Sequence, residues 1–141
     1  MIPSVLLRYF VEDDPQQNIV QRAVDRIFES GEDLYFTPQV VREAWSVLTR
    51  PKTVGGYSQT KEEASHFLAE TNKVFVLIHD VPEMHERWFE LVKSYGVLGR
   101  QVHDAYHVAT MMEHGLTFVL SLNARDFNRY AGISVVHPSE V

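Results

Sequence analysis

Apolar residues recur along the chain with two different spacings, which predict two kinds of secondary structure. In four segments the apolar positions follow the i, i+3, i+4, i+7 pattern of a helix that buries one face. These segments are Val20–Ile27, Val41–Leu48, Trp88–Tyr95 and Ala105–Met112. The second segment has a defined start, because Thr37 offers a capping hydroxyl and Pro38 suits the first helical position.

Short, nearly continuous apolar runs lie between the helical segments and predict buried strands. These runs are Leu34–Thr37, Val74–Ile78, Thr117–Ser121 and Ile133–Val136. Runs without polar alternation are typical of strands covered on both faces, as in a parallel sheet. Strands that alternate with helices predict an α/β fold with right-handed crossovers. The Pro51–Ser58 segment indicates a loop, so we expect residues 1–141 to form one domain.

The composition is that of an ordinary globular chain, and it excludes several classes of site. The 141 residues are 45% hydrophobic and 23% charged, close to the average for folded domains. The sequence has no cysteine, which excludes disulfides, thiolate zinc sites and iron–sulfur clusters. Its apolar runs are far shorter than the roughly 18 residues that cross a bilayer. With no signal-peptide pattern at the start, we expect a cytoplasmic protein without membrane contact.

Acidic residues outnumber basic ones, which changes the kind of partner to expect. The chain has 13 Lys and Arg against 19 Asp and Glu, for a net charge of −6. A passive nucleic-acid-binding module usually has the opposite sign, because counterion release needs clustered cations. Excess carboxylate is compatible with an enzyme that holds divalent metal between acids. On charge alone, an ordinary acidic surface is the better-supported interpretation.

Polar side chains near the predicted carboxyl ends of the strands are the first candidates for chemistry, because ligands of open α/β sheets bind there. Glu43 lies at the flank of the buried face of its helix, and Asp104 lies in the first turn of another helix. Ser121, Asn123 and Asp126 follow the third apolar run. Such oxygen ligands are the type that Mg²⁺ or Mn²⁺ prefers. Each residue also has a structural alternative as a surface glutamate, a helix-start acid or a turn former.

Two histidines around Asp104 suggest a competing hypothesis. His103 and His107 are spaced as in a zinc-protease helix, where two histidines share one face. Asp104 stands where that motif has a longer glutamate as general base. Between His107 and Glu140 the sequence has one glutamate, Glu113, which directly follows the same predicted helix and is not a third ligand from a separate helix. A zinc hydrolase is therefore the weakest of the hypotheses that we carry forward.

Four strings, taken together and in order, resemble the PIN-domain family. They are Ser4–Phe10, Pro38–Pro51, His103–Ala109 and Leu120–Phe127. The resemblance runs from about Ile2 to Pro138, and the nearest group is the toxin ribonucleases of bacterial VapBC-like toxin–antitoxin pairs. It implies a three-layer α/β/α sandwich around a central, mostly parallel sheet. It also implies RNA cleavage with Mg²⁺ or Mn²⁺, a homodimer, and neutralisation by a small antitoxin protein.

The resemblance assigns roles to individual residues. Glu43 matches the second acid of the family and Asp104 the third, while Asn123 and Asp126 match the fourth acidic region. These four residues are the implied catalytic set, and its three carboxylates are the implied metal ligands. The predicted substrate contacts are Ser121, Arg100 and Arg125.

The start of the chain departs from the family pattern. The family begins with a short apolar strand that ends in an acid, and a helix containing Val-Leu-Leu follows. Here Ile2 stands where the first acid belongs, so we expect a truncated first strand and a poorly active chain. A mis-assigned start codon or a shortened chain is the simpler explanation, and a true variant with a stub strand is the other.

A missing acid also motivates a hypothesis without catalysis. A PIN-like module could bind RNA or a protein partner and leave it uncut. Four arginines near the predicted acidic edge could hold phosphate in that case. They are Arg42, Arg100, Arg125 and Arg129.

Overall fold

Helices and short strands alternate along the chain in a computed structural model that describes residues 1–12 and 14–141. The helices of this part are α1 (Pro3–Phe10), α2 (Gln17–Glu29), α3 (Pro38–Thr49), α4 (Lys61–Val74), α5 (Met84–Ser94) and α6 (Gln101–Glu113). The strands are β1 (Tyr35–Phe36), β2 (Val76–Leu77), β3 (Phe118–Leu120) and β4 (Ser134–Val136). Single 3₁₀ turns cover Lys52–Val54, Ala124–Asp126 and Pro138–Glu140. The predicted α/β class is confirmed.

Each predicted strand is present, but with narrower bounds than the apolar runs. Val74 was predicted to lie in the second strand, whereas it is the last residue of α4 and pairing with β1 begins at Val76. Periodicity did not predict α4, whose buried residues are Ala64, Phe67 and Thr71. The helix starts at a capping box in which Thr60 and Glu63 bond each other's backbone N–H groups. Its apolar stripe is too short to stand out from its polar residues.

The strands form two parallel pairs, β1 with β2 and β3 with β4. The predicted parallel pairing is therefore confirmed, and the sheet is divided into two halves. In the described residues no strand precedes α1, because Ile2 is already the N-cap of that helix. The amino group of Met1 donates a hydrogen bond to the carbonyl oxygen of Tyr35 at 2.9 Å. One backbone bond thus links the chain start to the free side of β1.

Apolar packing holds α1 in place beside the two half-sheets. Val5 and Leu6 of this helix are fully buried, and α1 contacts both α2 and α3. The helices α5 and α6 also pack against each other. No helix of the described part is long and apolar enough to span a bilayer.

The start of α3 follows the sequence prediction closely. The Thr37 hydroxyl accepts a hydrogen bond from the backbone N–H of Val40 at 3.2 Å. The buried side of α3 is formed by Val40, Ala44 and Leu48, so the apolar stripe is rotated from the predicted one toward Val40. Glu43 is half-buried beside this face, as its predicted flanking position requires.

We expect Thr37→Ala to lower the free energy of unfolding by about 1 kcal/mol, because the buried cap of α3 is lost. The urea midpoint of unfolding measures this change. Thr53→Ala, at an exposed position in the 3₁₀ turn, is the matched control and should leave the midpoint unchanged. Equal shifts in both variants would show that the cap does not hold α3.

Candidate active site

Carboxylates from three separate segments meet at one side of the molecule. Glu43 comes from α3, Asp104 from the first turn of α6, and Asp126 from the 3₁₀ turn after β3. Glu43 and Asp104 line the same cavity of about 390 Å³. Burial, followed by the charge of Asp126, raises the pKa of Asp104 from 3.8 to about 6, and Glu43 adds to this rise. The three carboxylates are therefore close enough to repel one another.

Glu43 is held by neighbours that favour its charged form. The Nε2 of Gln39 donates a hydrogen bond to Oε1 of Glu43 at 2.6 Å, and Nε2 of His107 lies 3.7 Å from the same oxygen. Burial acts to raise the pKa of Glu43, but the contacts with His107 and Gln39 outweigh it. The pKa of Glu43 consequently lies below its ordinary value, in the opposite direction to that of Asp104.

Gln39 is a site residue that the sequence reasoning missed. Its side chain is buried, and its Nε2 donates both to Glu43 and to the carbonyl oxygen of His103 at 3.1 Å. It thus ties α3 to the start of α6 and orients the carboxylate. The signal in the sequence is its position four residues before Glu43, one helical turn away.

The two histidines that suggested a zinc site have different surroundings. His107 is buried and contacts Glu43, whereas His103 is exposed. Across residues 1–12 and 14–141, no three His, Asp or Glu side chains form a ready-made metal-binding group. His107 therefore serves in this arrangement as a partner of Glu43.

The segment after β3 forms a turn that presents Asp126. The Ser121 hydroxyl donates to the carbonyl oxygen of Asn123 and accepts from its N–H, at 3.1 and 3.0 Å. The Asn123 amide donates to Oδ2 of Asp126 at 2.9 Å. Ser121 is fully buried, and its predicted contact with substrate stays a prediction.

The predicted basic residues lie on the surface of the molecule. Arg42, Arg100, Arg125 and Arg129 are all exposed. Arg129 donates to Oε1 of Gln101 at 2.8 Å. Sequence reasoning missed another cation, Arg8, which lines the acidic cavity and lies 3.6 Å from Asp14.

An apolar residue, Ile2, borders the acids at the position where the family resemblance implies a further carboxylate. Ile2 is buried and lines the cavity that contains Glu43 and Asp104. Ser4 and Tyr57 add hydroxyl groups to the same lining. The site thus combines two described carboxylates, one buried imidazole and an apolar wall.

We expect Asp104→Asn to raise the melting temperature (Tm) by about 2–5 °C at pH 7.5 in metal-free buffer. The folded protein keeps the proton of Asp104 up to about pH 6, whereas the ordinary pKa of an aspartate is 3.8. The folded state therefore binds more protons between these pH values, and the stability from this group falls as pH rises through 6. Asparagine removes this loss of stability, so the gain in Tm should shrink toward pH 4.

Thermal melts at pH 4 and pH 7.5 measure this difference. Asp25→Asn changes an exposed aspartate of α2 and is the matched control, with no pH-dependent gain expected. A gain in Tm for Asp104→Asn that is equal at both pH values would contradict the raised pKa of Asp104.

Comparisons with known proteins place this arrangement in a family. One similar structure is VapBC2 from Rickettsia felis, which was solved bound to a DNA fragment from its promoter. A chain of that structure superposes on this one with a TM-score of 0.71 at 11% identity. The match covers 96% of this chain and 94% of that one. VapC20 of Mycobacterium tuberculosis, described as a sarcin–ricin loop cleaving toxin, superposes with a TM-score of 0.67 at 17% identity. It covers 99% of this chain and 95% of that one.

Sequence comparison gives an independent result. No curated protein sequence matches the chain. The PIN domain family, in contrast, matches residues 4–133. That range includes α1, α3, α6 and the turn that presents Asp126. Because the match spans nearly the whole chain, this protein belongs to the PIN domain family.

Proposed function

We propose that this protein is a toxin-type ribonuclease that hydrolyses RNA phosphodiester bonds with a divalent cation. The observation that carries this proposal is the convergence of Glu43, Asp104 and Asp126 from three separate elements. Burial of Asp104, followed by the charges of Asp126 and Glu43, raises its pKa to about 6. Strongly shifted carboxyl groups in a cavity are a common feature of catalytic sites.

The choice of RNA is supported by the similar structures. VapC20 is described as cleaving the sarcin–ricin loop, and the fold of this chain follows it over nearly the full length. VapC20 is named as a toxin, and VapBC2 is described as bound to a DNA fragment from its promoter. We therefore take RNA as the substrate class and a toxin as the biological role.

The donor chemistry of the site fits a hard divalent cation, Mg²⁺ or Mn²⁺. Glu43, Asp104 and Asp126 supply carboxylate oxygens, which such ions prefer, and a cation among them would relieve the repulsion that acts on Asp104. When bound, the ion supplies an activated water and stabilises the leaving oxygen. The described carboxylates form no ready-made group of three, so one or two of them, together with water, would hold the ion.

The protein's own residues then have distinct tasks. Gln39 and His107 fix the orientation of Glu43 and keep it charged. Asn123 donates to one oxygen of Asp126 and so orients that carboxylate. Arg100 and Arg125 are exposed and lie close in sequence to Asp104 and Asp126, and they would contact substrate phosphates.

Partner proteins are part of the same proposal. An acidic cavity of this kind suits inhibition by a small antitoxin that inserts a basic side chain among the carboxylates. Arginine is the most suitable residue, because its guanidinium can pair with two carboxylate oxygens at once. We also propose a homodimer and a cytoplasmic location.

A second function, binding without cleavage, is favoured by a specific observation. Ile2 lines the acidic cavity with an apolar side chain where the family resemblance implies an acid. Arg8 and His107 line the same cavity and could hold a phosphate. The two functions differ in their need for metal, since phosphate held by cations does not require a divalent ion.

Incubation of the purified protein with ribosomal and transfer RNA tests cleavage. We expect slow cleavage with Mg²⁺ or Mn²⁺ and none with EDTA. Glu43→Gln and Asp104→Asn should each lower the rate about 100-fold or more, because each removes a carboxylate from the site. Asp25→Asn, far from the site in sequence and exposed, should keep the full rate.

The results separate the two functions. Cleavage that persists in EDTA and in Asp104→Asn overturns the proposed mechanism. RNA binding that survives metal removal, without cleavage in any metal, favours the binding module. Elemental analysis of the untagged protein tests the zinc-hydrolase hypothesis. A preparation without zinc would exclude it.

The toxin role predicts an antitoxin encoded close to this gene. We expect a short upstream reading frame whose product co-purifies with this protein, and we expect overexpression of the protein alone to slow growth. Co-expression of the small protein should restore growth. Normal growth without any such neighbouring gene would point to a free-standing nuclease instead.

A further inference from the structure

The acidic cavity has an aromatic and apolar wall that the proposed metal chemistry does not use. Besides the carboxylates, its lining includes Leu7 of α1, Val47 of α3 and Tyr57 of the loop that follows α3. Its volume is about 390 Å³, which lies within the roughly 300–1,000 Å³ of sites that hold a small ligand. An ion held by carboxylates fills only a part of such a volume, so the rest of the cavity is open to a larger group.

This loop, which we call the rim loop (residues 51–58), is bonded back onto the end of α3. The N–H of Tyr57 donates to the carbonyl oxygen of Val47, and the N–H of Ser58 donates to that of Arg50, both at 3.0 Å. Val47 is in the last turn of α3, where carbonyl oxygens lack partners within the helix. The two bonds therefore satisfy the helix end and fix the backbone at Tyr57.

Two backbone positions show that the shape of the rim loop is specific. At Gly56, a Cβ atom would overlap the carbonyl oxygen and the Cγ of Arg50, so no other residue fits unless the loop moves. Ser58 has a φ of +54°, in the left-handed region that favours glycine. Sparsely populated backbone conformations are concentrated at functional sites, where the surrounding structure holds them in place. The rim loop thus has a built shape, and that shape presents Tyr57 to the cavity.

Tyr57 is arranged to stack on a flat ring. Its side chain is half-buried and packs against the hydrophobic core, and it also lines the cavity. Core packing restrains the ring before any ligand binds, so stacking costs little side-chain freedom. Unpaired bases of RNA stack on aromatic side chains in this way. Leu7 and Val47 line the same cavity and give a base an apolar environment.

A cation is held at the opening of the same cavity. Nε and Nη2 of Arg50 donate to the carbonyl oxygen of Gly55, at 3.3 and 3.1 Å. Gly55 lines the cavity and is itself exposed, so it lies where the cavity opens to solvent. Among the described residues no carboxylate pairs with Arg50. A guanidinium has five N–H donors, and those that do not reach Gly55 remain for an anion.

The charge along the rim loop favours a polyanion. No acidic residue occurs between Glu43 and Glu62, whereas Arg50, Lys52 and Lys61 lie in this interval. In a chain with a net charge of −6, this is a local excess of positive charge. RNA combines the two groups that this wall fits, a flat base for the aromatic ring and a phosphate for the guanidinium.

We propose that Tyr57 and Arg50 form a subsite for one unpaired RNA nucleotide beside the acids. Tyr57 stacks on the base, and Arg50 binds a phosphate at the opening of the cavity. A base within a duplex is already paired and stacked, so it does not enter, and the subsite selects single-stranded RNA. The choice of RNA rests on the proposed function, and the subsite adds to it the selection of unpaired nucleotides.

Binding of a fluorescein-labelled RNA decamer tests the subsite, in a Glu43→Gln background with Mg²⁺ present so that cleavage is slow. We expect the single strand to bind at least about tenfold more tightly than the same decamer in a duplex. Tyr57→Leu should weaken binding of the single strand about tenfold, whereas Tyr57→Phe, which keeps the ring, should bind it as before. Equal binding of single strand and duplex, or full binding by Tyr57→Leu, overturns the proposal.

The salt dependence of binding tests Arg50. Loss of one phosphate contact with a single strand reduces the slope of log K against log salt by about 0.7, and Arg50→Ala should show this reduction. Arg22→Ala is the matched control, because Arg22 is an exposed arginine of α2 that donates to a backbone carbonyl oxygen. Its slope should stay the same. An unchanged slope for Arg50→Ala overturns the phosphate contact.

Photocrosslinking locates the base on the wild-type protein and does not depend on the folding of a variant. The decamer carries 5-iodouridine at each position in turn, and trypsin digestion follows irradiation. We expect the modified peptide to be residues 53–61, in which Tyr57 is the only aromatic residue. Crosslinks confined to other peptides overturn the proposal. A crosslink to this peptide in a protein that cleaves no RNA would uphold the subsite and contradict the proposed nuclease activity.

Discussion

Backbone pairing of four short strands is the constraint on which the rest of this structure depends. Each strand has two or three residues, so it bonds to one neighbour and directs its remaining groups to the other side. Buried backbone groups must find partners, and the one bond from Met1 to Tyr35 meets only part of that need. The division of the sheet therefore fixes where the chain start lies and leaves a groove beside it.

The same pairing decides where the acids meet. Thr37 follows β1 directly and starts α3, which places Glu43 two turns into the helix. Ser121 follows β3 directly and forms the turn that presents Asp126. Each polar segment therefore begins at the carboxyl end of its own strand pair, where ligands of α/β sheets bind. Asp104 comes from α6, whose first turn Gln39 ties to α3.

Much of this could be predicted from the sequence, because the signals were local. The helical stripes, the cap at Thr37 and the four apolar runs depend on neighbouring residues, and all are found in the structure. Gln39, Arg8 and the burial of His107 could not be predicted, since each depends on which helices pack together. The division of the strands into two pairs depends on which strands meet in the fold, and no local pattern reports that pairing.

Within the site, two carboxyl groups are driven in opposite directions by their surroundings. Gln39 and His107 lower the pKa of Glu43, so Glu43 is charged before Asp104 loses its proton. Burial, the charge of Asp126 and, to a smaller extent, the charge of Glu43 raise the pKa of Asp104. A site of this kind stores repulsion that only a cation or a proton relieves, which is how one cavity can hold acids in different protonation states. The burial of Ile2 beside them increases the effect, because an apolar wall screens charge less than water does. Ile2 also lines the cavity between the two half-sheets. The packing that fixes the start of α1 and the electrostatics of the acidic cavity therefore depend on the same side chain.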